Sequence, residues 1–321
     1  MRTAFIQTLI ELARADERVL LLTADLGYTV VEPFTEEFPK RFINVGVAEQ
    51  NMVGIATGLA QAGFIPFLYS ISNFASLRPY EFIRNGPILH HVPVRIIGIG
   101  GGFDYGSAGI THYGLEDLGI MRIQKGITTV VPFDMQQTRS ALLATWDWPG
   151  PVYYRISKGD KSSLGTTHDQ FHPGKIQTLT DGKDLLFVCI GTITKEVLKA
   201  TQILSEQGIF ATVIAVSSFN PSPEGELGKA LKKFPLAITV EEHYINGGLG
   251  SFVCEIVAEN QIPCRIIRCA VEGRVGDVTG SRAFMLDHYG LSPQKLVAKA
   301  KASLKSLSHE KSADFYNTSH T

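Results

Sequence analysis

The sequence has no strong charge of one sign and no long apolar run. Thirty lysines and arginines against 31 acidic residues leave a formal net charge of −1, so no overall field would attract nucleic acid or an anionic membrane. No uncharged stretch is long enough to span a bilayer, and Arg2, Glu11 and Arg14 interrupt the apolar pattern of the N-terminal segment. We therefore expect no nucleic-acid partner, no membrane association and a cytoplasmic location.

Cysteine is scarce, and the motifs of several common chemistries are missing. The sequence contains no CxxC pair, no GxxxxGK[ST] phosphate loop and no GxSxG nucleophile elbow. The cysteines lie in or beside apolar runs of the C-terminal half, with no histidine at metal-ligand spacing: Cys189, Cys254, Cys264 and Cys269. They are expected to be reduced core residues, and no metal site is predicted in this chain.

What the sequence does contain is an alternation of apolar strand-like runs and helical periodicity. Helical patterns such as TAFIQTLIELARA and MQQTRSALLATW separate runs at residues 18–25, 64–69, 94–100, 128–132 and 152–157. After a polar linker at 158–175, further runs follow at 184–191, 210–216, 236–242 and 264–271. The pattern predicts an α/β fold with two domains, 1–165 and 175–305, each a mainly parallel sheet with helices on both faces. Residues 306–321 are predicted to be a polar, frayed tail.

The stretch INVGVAEQNMVGIATGLAQAG places one carboxylate, Glu49, between a short buried strand and a helix. Its neighbours are Val, Ala and Met, which predicts a dry environment. Gly54 and Gly58, four residues apart, are predicted to let another backbone approach this helix closely. Acidic residues favour the first turn of a helix because of the macrodipole, and most of them have no other role there. Taken alone, the position therefore favours a structural role for Glu49.

Several sequence blocks, taken together, indicate a protein family more specifically than any one of them does. NVGVAEQNMVGIATGLAQAG, PYEFIRN, GSAGITHYGLEDL and GPVYYRISKGD resemble, in order and spacing, the pyrimidine-binding domain of transketolases, and VEEHYINGGLGS resembles their C-terminal domain. The sequence contains no GDG motif of the kind that holds a divalent ion in the family's diphosphate-binding domain. The resemblance therefore implies one subunit of a split transketolase.

The resemblance implies thiamine diphosphate as the cofactor and assigns its aminopyrimidine ring to this chain. Glu49 would hydrogen-bond a ring nitrogen and so promote proton removal from the cofactor's reactive carbon. Phe74 would stack on the ring, with Ile71 and Leu77 where the family often has further aromatic residues. Asp25, at the end of a strand, matches a family aspartate near the ring. Without the resemblance, the sequence predicts that Phe74 is a core residue and that Asp25 is a turn residue or helix cap.

On the substrate side the sequence departs from the family. His112 is kept as a catalytic and substrate-binding residue, but Ala108 stands where transketolases carry an aspartate that bonds a hydroxyl of the ketose donor. A site without that bond is expected to prefer a different donor. The implied contacts to the acceptor phosphate are matched only in part: Arg2 is kept, Thr29 replaces a serine, Lys158 replaces an arginine and Gly100 replaces a histidine. For Arg2 and Lys158, a solvated surface role is an equal alternative.

Three functions remain open from the sequence. The first is a transketolase-like transferase subunit that moves a two-carbon ketol unit between small sugar or keto substrates. It would act with a partner subunit that holds the diphosphate and Mg²⁺, in an α2β2 heterotetramer. The second is the β subunit of a 2-oxo acid dehydrogenase-like enzyme, and the third is a non-catalytic subunit that stabilises its partner. The joint presence of Glu49, Phe74 and His112 favours a catalytic subunit, and the AEQN and THYGLEDL blocks are closer to transketolase.

Overall fold

The computed structural model describes residues 1–159 and 170–318, with the side chains of the last helix described as far as residue 309. The strands of the first α/β unit are β1 (Val19–Thr23), β2 (Phe42–Asn44), β3 (Ile65–Ile71), β4 (Arg95–Ile99), β5 (Thr128–Val130) and β6 (Val152–Ile156). Its helices are α1 (Arg2–Ala15), α2 (Glu32–Glu37), α3 (Glu49–Gln61), α4 (Ser72–Ser76), α5 (Tyr80–Ile83), α6 (Asp117–Ile123) and α7 (Met135–Thr145). All the strand-like runs predicted for this part of the chain form strands.

The second α/β unit follows the predicted linker. Its strands are β7 (Ile176–Thr180), β8 (Leu185–Ile190), β9 (Ala211–Val216), β10 (Ser218–Phe219), β11 (Leu236–Tyr244) and β12 (Arg265–Val271). Its helices are α8 (Thr194–Ser205), α9 (Glu224–Leu231), α10 (Leu249–Glu259), α11 (Arg282–His288) and α12 (Pro293–Thr318). The sequence patterns did not predict β7 and β10.

Each unit is built around one mainly parallel sheet, as predicted. The first sheet has the strand order β10-β5-β6-β4-β3-β1-β2, in which β10 is antiparallel to β5 and the other neighbours are parallel. The second has the order β12-β11-β8-β9-β7, in which only β7 is antiparallel to its neighbour. Because β10 comes from the second half of the chain but pairs in the first sheet, backbone hydrogen bonds connect the two units.

Helices cover both faces of the first sheet. Leu21, in the middle of β1, belongs to the apolar cluster formed with α1 and α7. Its neighbours Leu20 and Leu22 belong to the cluster that contains Met52 and Val53 of α3. Successive side chains of a strand point to opposite faces, so a continuous apolar run such as VLLLT fills two cores at once.

Three local predictions differ from the structure. β2 pairs only with β1 at the sheet edge, so its residues are half-buried or exposed rather than buried. Gly54 and Gly58 are exposed with open space around them, so within residues 1–159 and 170–318 no backbone approaches α3 at these two positions. The polar residues from 306 to 318 continue α12 instead of fraying. Of the predicted linker, residues 160–169 lie outside the described part, and β7 begins directly after it at Ile176.

Two further sequence-based expectations concern cysteines and membranes. Cys189, Cys264 and Cys269 are buried, Cys254 is half-buried, and none of the four is in a disulfide. Burial raises the pKa of the Cys264 and Cys269 thiols to about 11. These thiols are therefore protonated at neutral pH, as expected of core cysteines. Among the described helices, none combines the length and the apolar character needed to cross a membrane.

Candidate active site

The functional residues predicted from the sequence follow strands of the first sheet. Asp25 comes after β1, Glu49 after β2 and Phe74 after β3. These strands are parallel, so their carboxyl ends lie at one edge of the sheet. The chain leaves β1 for β2 on one side and then crosses to β3 on the other. Such a change of direction opens a crevice outside the carboxyl ends, which is where open α/β sheets bind ligands.

Glu49 is the first residue of α3, and its side chain is only 1% exposed. Ser70 Oγ, on β3, donates a hydrogen bond to Glu49 Oε1 at 3.1 Å. Arg78 Nη1 donates to Glu49 Oε2 at 2.8 Å. The sequence predicted dry, apolar surroundings, and this is wrong in part, because β3 and the residues after α4 bring two polar groups against the helix start. They supply the partners that a buried carboxylate requires.

An aromatic and cationic cluster adjoins this carboxylate. The guanidinium carbon of Arg78 lies 3.7 Å from the centroid of the half-buried Phe74 ring. The His112 ring meets the same ring edge-on, with 5.2 Å between the centroids. His112 lies in a 3₁₀ turn, Ile110–His112, and its Nδ1 is 2.9 Å from the hydroxyl of Thr111. The fold thus brings Glu49, Phe74 and His112 into one cluster and adds Arg78 to it.

Three other predicted cofactor residues lie nearby. Ile71 ends β3 and is half-buried, and Leu77 follows α4 and is 44% exposed. Asp25 is exposed with φ at 55° and is bonded to Asn44, at the end of β2. Its N–H donates to Asn44 Oδ1, and Asn44 Nδ2 donates to its carboxylate, both at 3.0 Å. In the described part of the chain, the Asp25 hydrogen bonds therefore run to the end of β2 rather than to Glu49.

The three predicted phosphate-binding residues line one cleft. Arg2, Thr29 and Lys158 surround a volume of about 380 Å³ between α1 and the loop after β1. Arg2 Nε donates to the carbonyl oxygen of Lys158 at 2.6 Å, which holds the N-terminus of α1 beside the end of β6. Two cations and a hydroxyl at one cleft make an arrangement that can bind an anion.

Tyr105 connects this cleft to His112. Lys158 Nζ lies 4.2 Å from the centroid of the Tyr105 ring, and the Tyr105 and His112 centroids are 6.0 Å apart. Burial raises the pKa of the Tyr105 phenol, although nearby Arg2 opposes this. A Cβ at Gly100 would lie 2.2 Å from Tyr105 Cε2. The ring of Tyr105 therefore fills the space into which a side chain at position 100 would project.

The loop that carries Tyr105 and His112 is closed at its base. Gly102 and Gly114 exchange backbone hydrogen bonds of 2.8 and 3.0 Å. Asn73, on α4, donates to the carbonyl of Thr111, and the Tyr113 hydroxyl donates to the carbonyl of Gly106 at 3.0 Å. Ala108 is exposed in the 3₁₀ turn Gly106–Ala108 of this loop, and its influence on the donor stays a prediction.

A buried charge cluster ties the same loop to the second unit. Glu242, on β11, accepts hydrogen bonds from the Phe103 N–H at 2.7 Å and from Arg282 Nη2 at 2.6 Å. Arg282 Nε is 3.4 Å from Asp104 Oδ1. Burial raises the pKa of Asp104 and nearby Glu242 raises it further, while Arg282 opposes both. The charge of Arg282 thus compensates the two buried carboxylates of Asp104 and Glu242. Because Asp104 belongs to the loop and the other two residues to the second unit, both units position the loop.

Sequence reasoning missed Ser70, Arg78 and Tyr105. A signal for Arg78 existed in its spacing, because it follows Phe74 by four residues, the distance at which two side chains share a helix face, although the structure places Arg78 in the turn after α4. Nothing in the local sequence indicated that Ser70 faces Glu49 or that Tyr105 packs over Gly100, since both contacts join separate elements. In the described ranges, 1–159 and 170–318, no group of three or more His, Cys, Asp or Glu is placed to hold a metal ion.

The fold and the site define a class: chains of two α/β units whose candidate site lies at the carboxyl edge of the first sheet. Residues 1–162 match the sequence profile of the transketolase pyrimidine binding domain, and residues 174–296 match that of the transketolase C-terminal domain. The chain belongs to the transketolase family.

Individual relatives agree with this assignment. A putative transketolase C-terminal section from Methanocaldococcus jannaschii is 36% identical over 95% of this chain and 96% of its own length. One of the subunits of an apulose-4-phosphate transketolase from Phocaeicola vulgatus is 35% identical over 93% of this chain and 96% of its own length. Among solved structures, a split-gene transketolase described as an inactive β4 tetramer superposes with a TM-score of 0.83 at 31% identity, covering 95% of this chain and 97% of that one.

Transketolases use thiamine diphosphate, and the cluster at Glu49 fits its aminopyrimidine ring. The space between the Glu49 carboxylate and the Phe74 face accepts a flat group that carries N–H donors, because the Arg78 guanidinium already lies there. An aminopyrimidine is such a group.

Proposed function

We propose that this chain is the pyrimidine-binding subunit of a split transketolase. Glu49 bonds the aminopyrimidine ring, Phe74 stacks on it, and a second polypeptide of the diphosphate-binding type holds the diphosphate and Mg²⁺ within an α2β2 heterotetramer. The relatives support a divided enzyme, since one is named as a C-terminal section and another as one subunit of a transketolase. Their names also favour ketol transfer over 2-oxo acid chemistry.

The observation that carries the proposal is the position of Glu49. A carboxylate that is 1% exposed and adjoins an aromatic ring at the carboxyl edge of a parallel sheet is suited to pair with a bound ring. The cofactor supplies the nucleophilic carbon of the reaction. In this chain, Glu49 shares a proton with the ring nitrogen, and Ser70 orients the carboxylate through Oε1.

The remaining candidate residues act on the substrate. His112 lies beside Phe74, where its imidazole donates to or accepts from an oxygen of the bound sugar. Arg2, Thr29 and Lys158 bind the substrate phosphate in their cleft, with Tyr105 between that cleft and His112. The chain transfers a two-carbon ketol unit only when the partner completes the site.

Glu49→Gln tests the role of the carboxylate. The amide keeps the shape but cannot share a proton, so we expect turnover of the reconstituted enzyme at saturating cofactor to fall by about 100-fold or more. Subunit assembly, followed by light scattering, should be retained. The matched control is Glu81→Gln, which makes the same change at an exposed position on α5 and should leave turnover intact. Near wild-type turnover of Glu49→Gln would show that the carboxylate is not needed for turnover and that its role at the helix start is purely structural.

A further inference from the structure

The slot proposed for the aminopyrimidine ring is filled by a side chain of the protein itself. Arg78 Nη1 bonds Glu49 Oε2 at 2.8 Å, and the Arg78 guanidinium carbon lies 3.7 Å from the Phe74 centroid. The two contacts involve the two groups proposed to hold the ring. They come from one side chain, so they place the flat guanidinium between the carboxylate and the aromatic face.

The guanidinium offers the same chemistry as the ligand proposed for this slot. It is planar, stacks on aromatic faces and presents N–H donors in a fixed geometry to a carboxylate. An aminopyrimidine is also planar and carries an amino group and ring nitrogens. The two groups therefore compete for the same carboxylate oxygen and the same ring face.

The hydrogen bonds of Glu49 show why both cannot bind at once. Oε1 accepts from Ser70 and Oε2 accepts from Arg78. A ring nitrogen that paired with Oε2 would meet the guanidinium in its path. We infer that Arg78 is a positioning residue that holds Glu49 and closes the ring slot until an aminopyrimidine displaces it. This inference rests on the proposed function of Glu49 and Phe74.

The Arg78 side chain can move out of the ring slot into solvent. Its side chain is 38% exposed, whereas that of Glu49 is 1% exposed, so the cation has a route to solvent that the carboxylate lacks. Leu77 is the C-cap of α4 and Pro79 precedes α5, so Arg78 lies between two short helices. While Arg78 occupies the ring slot, it supplies the positive charge without which Glu49 would be a buried, uncompensated anion.

The test uses the full-length isolated chain and the free ring, 4-amino-5-hydroxymethyl-2-methylpyrimidine, titrated by ligand-observed NMR. Removing the competitor in Arg78→Ala should tighten binding by about tenfold, since a partly exposed charged hydrogen bond and a cation–π contact are no longer broken. The matched control is Arg84→Ala, which deletes an exposed arginine six residues further along and should not change the dissociation constant.

A second variant guards against misfolding of Arg78→Ala. Arg78→Lys keeps a positive charge near Glu49 but loses the planar group on Phe74, so its gain in affinity should be smaller, about threefold. Adding Glu49→Gln to either variant should remove the gain, because the ring then has no carboxylate to pair with.

The outcomes separate the inference from the proposed function. Equal affinity of wild type and Arg78→Ala, together with weaker binding by Glu49→Gln, would overturn the inference and leave the proposed ring slot in place. Weaker binding by Arg78→Ala would also overturn it, because Arg78 would then support the ring instead of excluding it. Binding that does not depend on Glu49 in any variant would contradict the proposed ring slot itself.

Discussion

Gly100 and Tyr105 share one space at the carboxyl end of β4. Gly100 has a φ of 76°, in the region that L-residues with a side chain rarely adopt, and its missing Cβ leaves room for the Tyr105 ring. The ring in turn lies between Lys158 and His112. One glycine therefore decides which side chain borders the proposed substrate cleft.

We expect Gly100→Ala to lower the free energy of unfolding by about 2 kcal/mol. Roughly 1 kcal/mol comes from the positive φ, and the remainder from the collision with Tyr105. Urea denaturation of the isolated chain measures the loss. In a Tyr105→Ala background, only the cost of the positive φ should remain.

The control for this measurement is Gly208→Ala. Gly208 has the same φ of 76°, but a Cβ there meets nothing within 4 Å, so only the backbone cost applies. If Gly100→Ala costs no more than Gly208→Ala, Tyr105 does not occupy the space beside Gly100 in solution.

At the scale of elements, the loop from Phe103 to Tyr113 is the part of the site that depends on both units. Its base is closed by backbone bonds between Gly102 and Gly114, and Phe103 stacks on Tyr289 with 5.1 Å between the ring centroids. The buried charge cluster of Asp104, Glu242 and Arg282 fixes its first residues.

Arg282→Met should destabilise the chain in a pH-dependent way. The methionine keeps much of the volume but leaves Asp104 and Glu242 facing each other in the interior, which should cost about 3 kcal/mol at pH 8. The native pKa of Asp104 is already raised, and loss of Arg282 raises it further. The native state then binds a proton that the unfolded state releases, so stability falls as pH rises above the ordinary aspartate range.

Urea denaturation at pH 5 and pH 8 measures both the loss of stability in Arg282→Met and the direction in which this loss changes with pH. The deficit of Arg282→Met relative to wild type should be smaller at pH 5, where Asp104 is more fully protonated in the native state. Arg274→Met, at an exposed position before α11, should cost little at either pH. A deficit that is the same at both values would show that the cluster does not hold a raised carboxyl pKa.

At the scale of the whole molecule, the proposed function gives this chain one part of a cofactor site. The ring slot at Glu49 and the cleft at Arg2 lie on the first unit, and β10 fastens the second unit to the same sheet. A diphosphate with its metal ion carries most of the charge of the proposed cofactor, and we propose that the partner subunit binds this part.

The isolated chain should therefore bind thiamine diphosphate with Mg²⁺ at least about 100-fold more weakly than the complex with its partner, because the contacts to ring and diphosphate are divided between two chains. Titration calorimetry on this chain, on the partner and on the mixture makes the comparison. Tight, Mg²⁺-dependent binding by this chain alone would rule out the divided site.

The sequence by itself determined most of the fold. Apolar runs separated by helical periodicity give the parallel strands and their covering helices, because a strand buried on both faces is apolar throughout its length. Two of the edge strands, β7 and β10, were not predictable in this way. β7 is only half-buried, and β10 has two residues, so neither leaves a periodic pattern long enough to recognise.

The resemblance to transketolases also placed Glu49, Phe74 and His112 among the candidate residues. Only the tertiary structure decided what surrounds them. Arg78 bonds Glu49 because the fold brings the turn after α4 to the start of α3, and Tyr105 borders the cleft because Gly100 lacks a side chain. Such contacts join elements that are distant in the chain, so their distances depend on how the elements pack, which local sequence patterns do not encode.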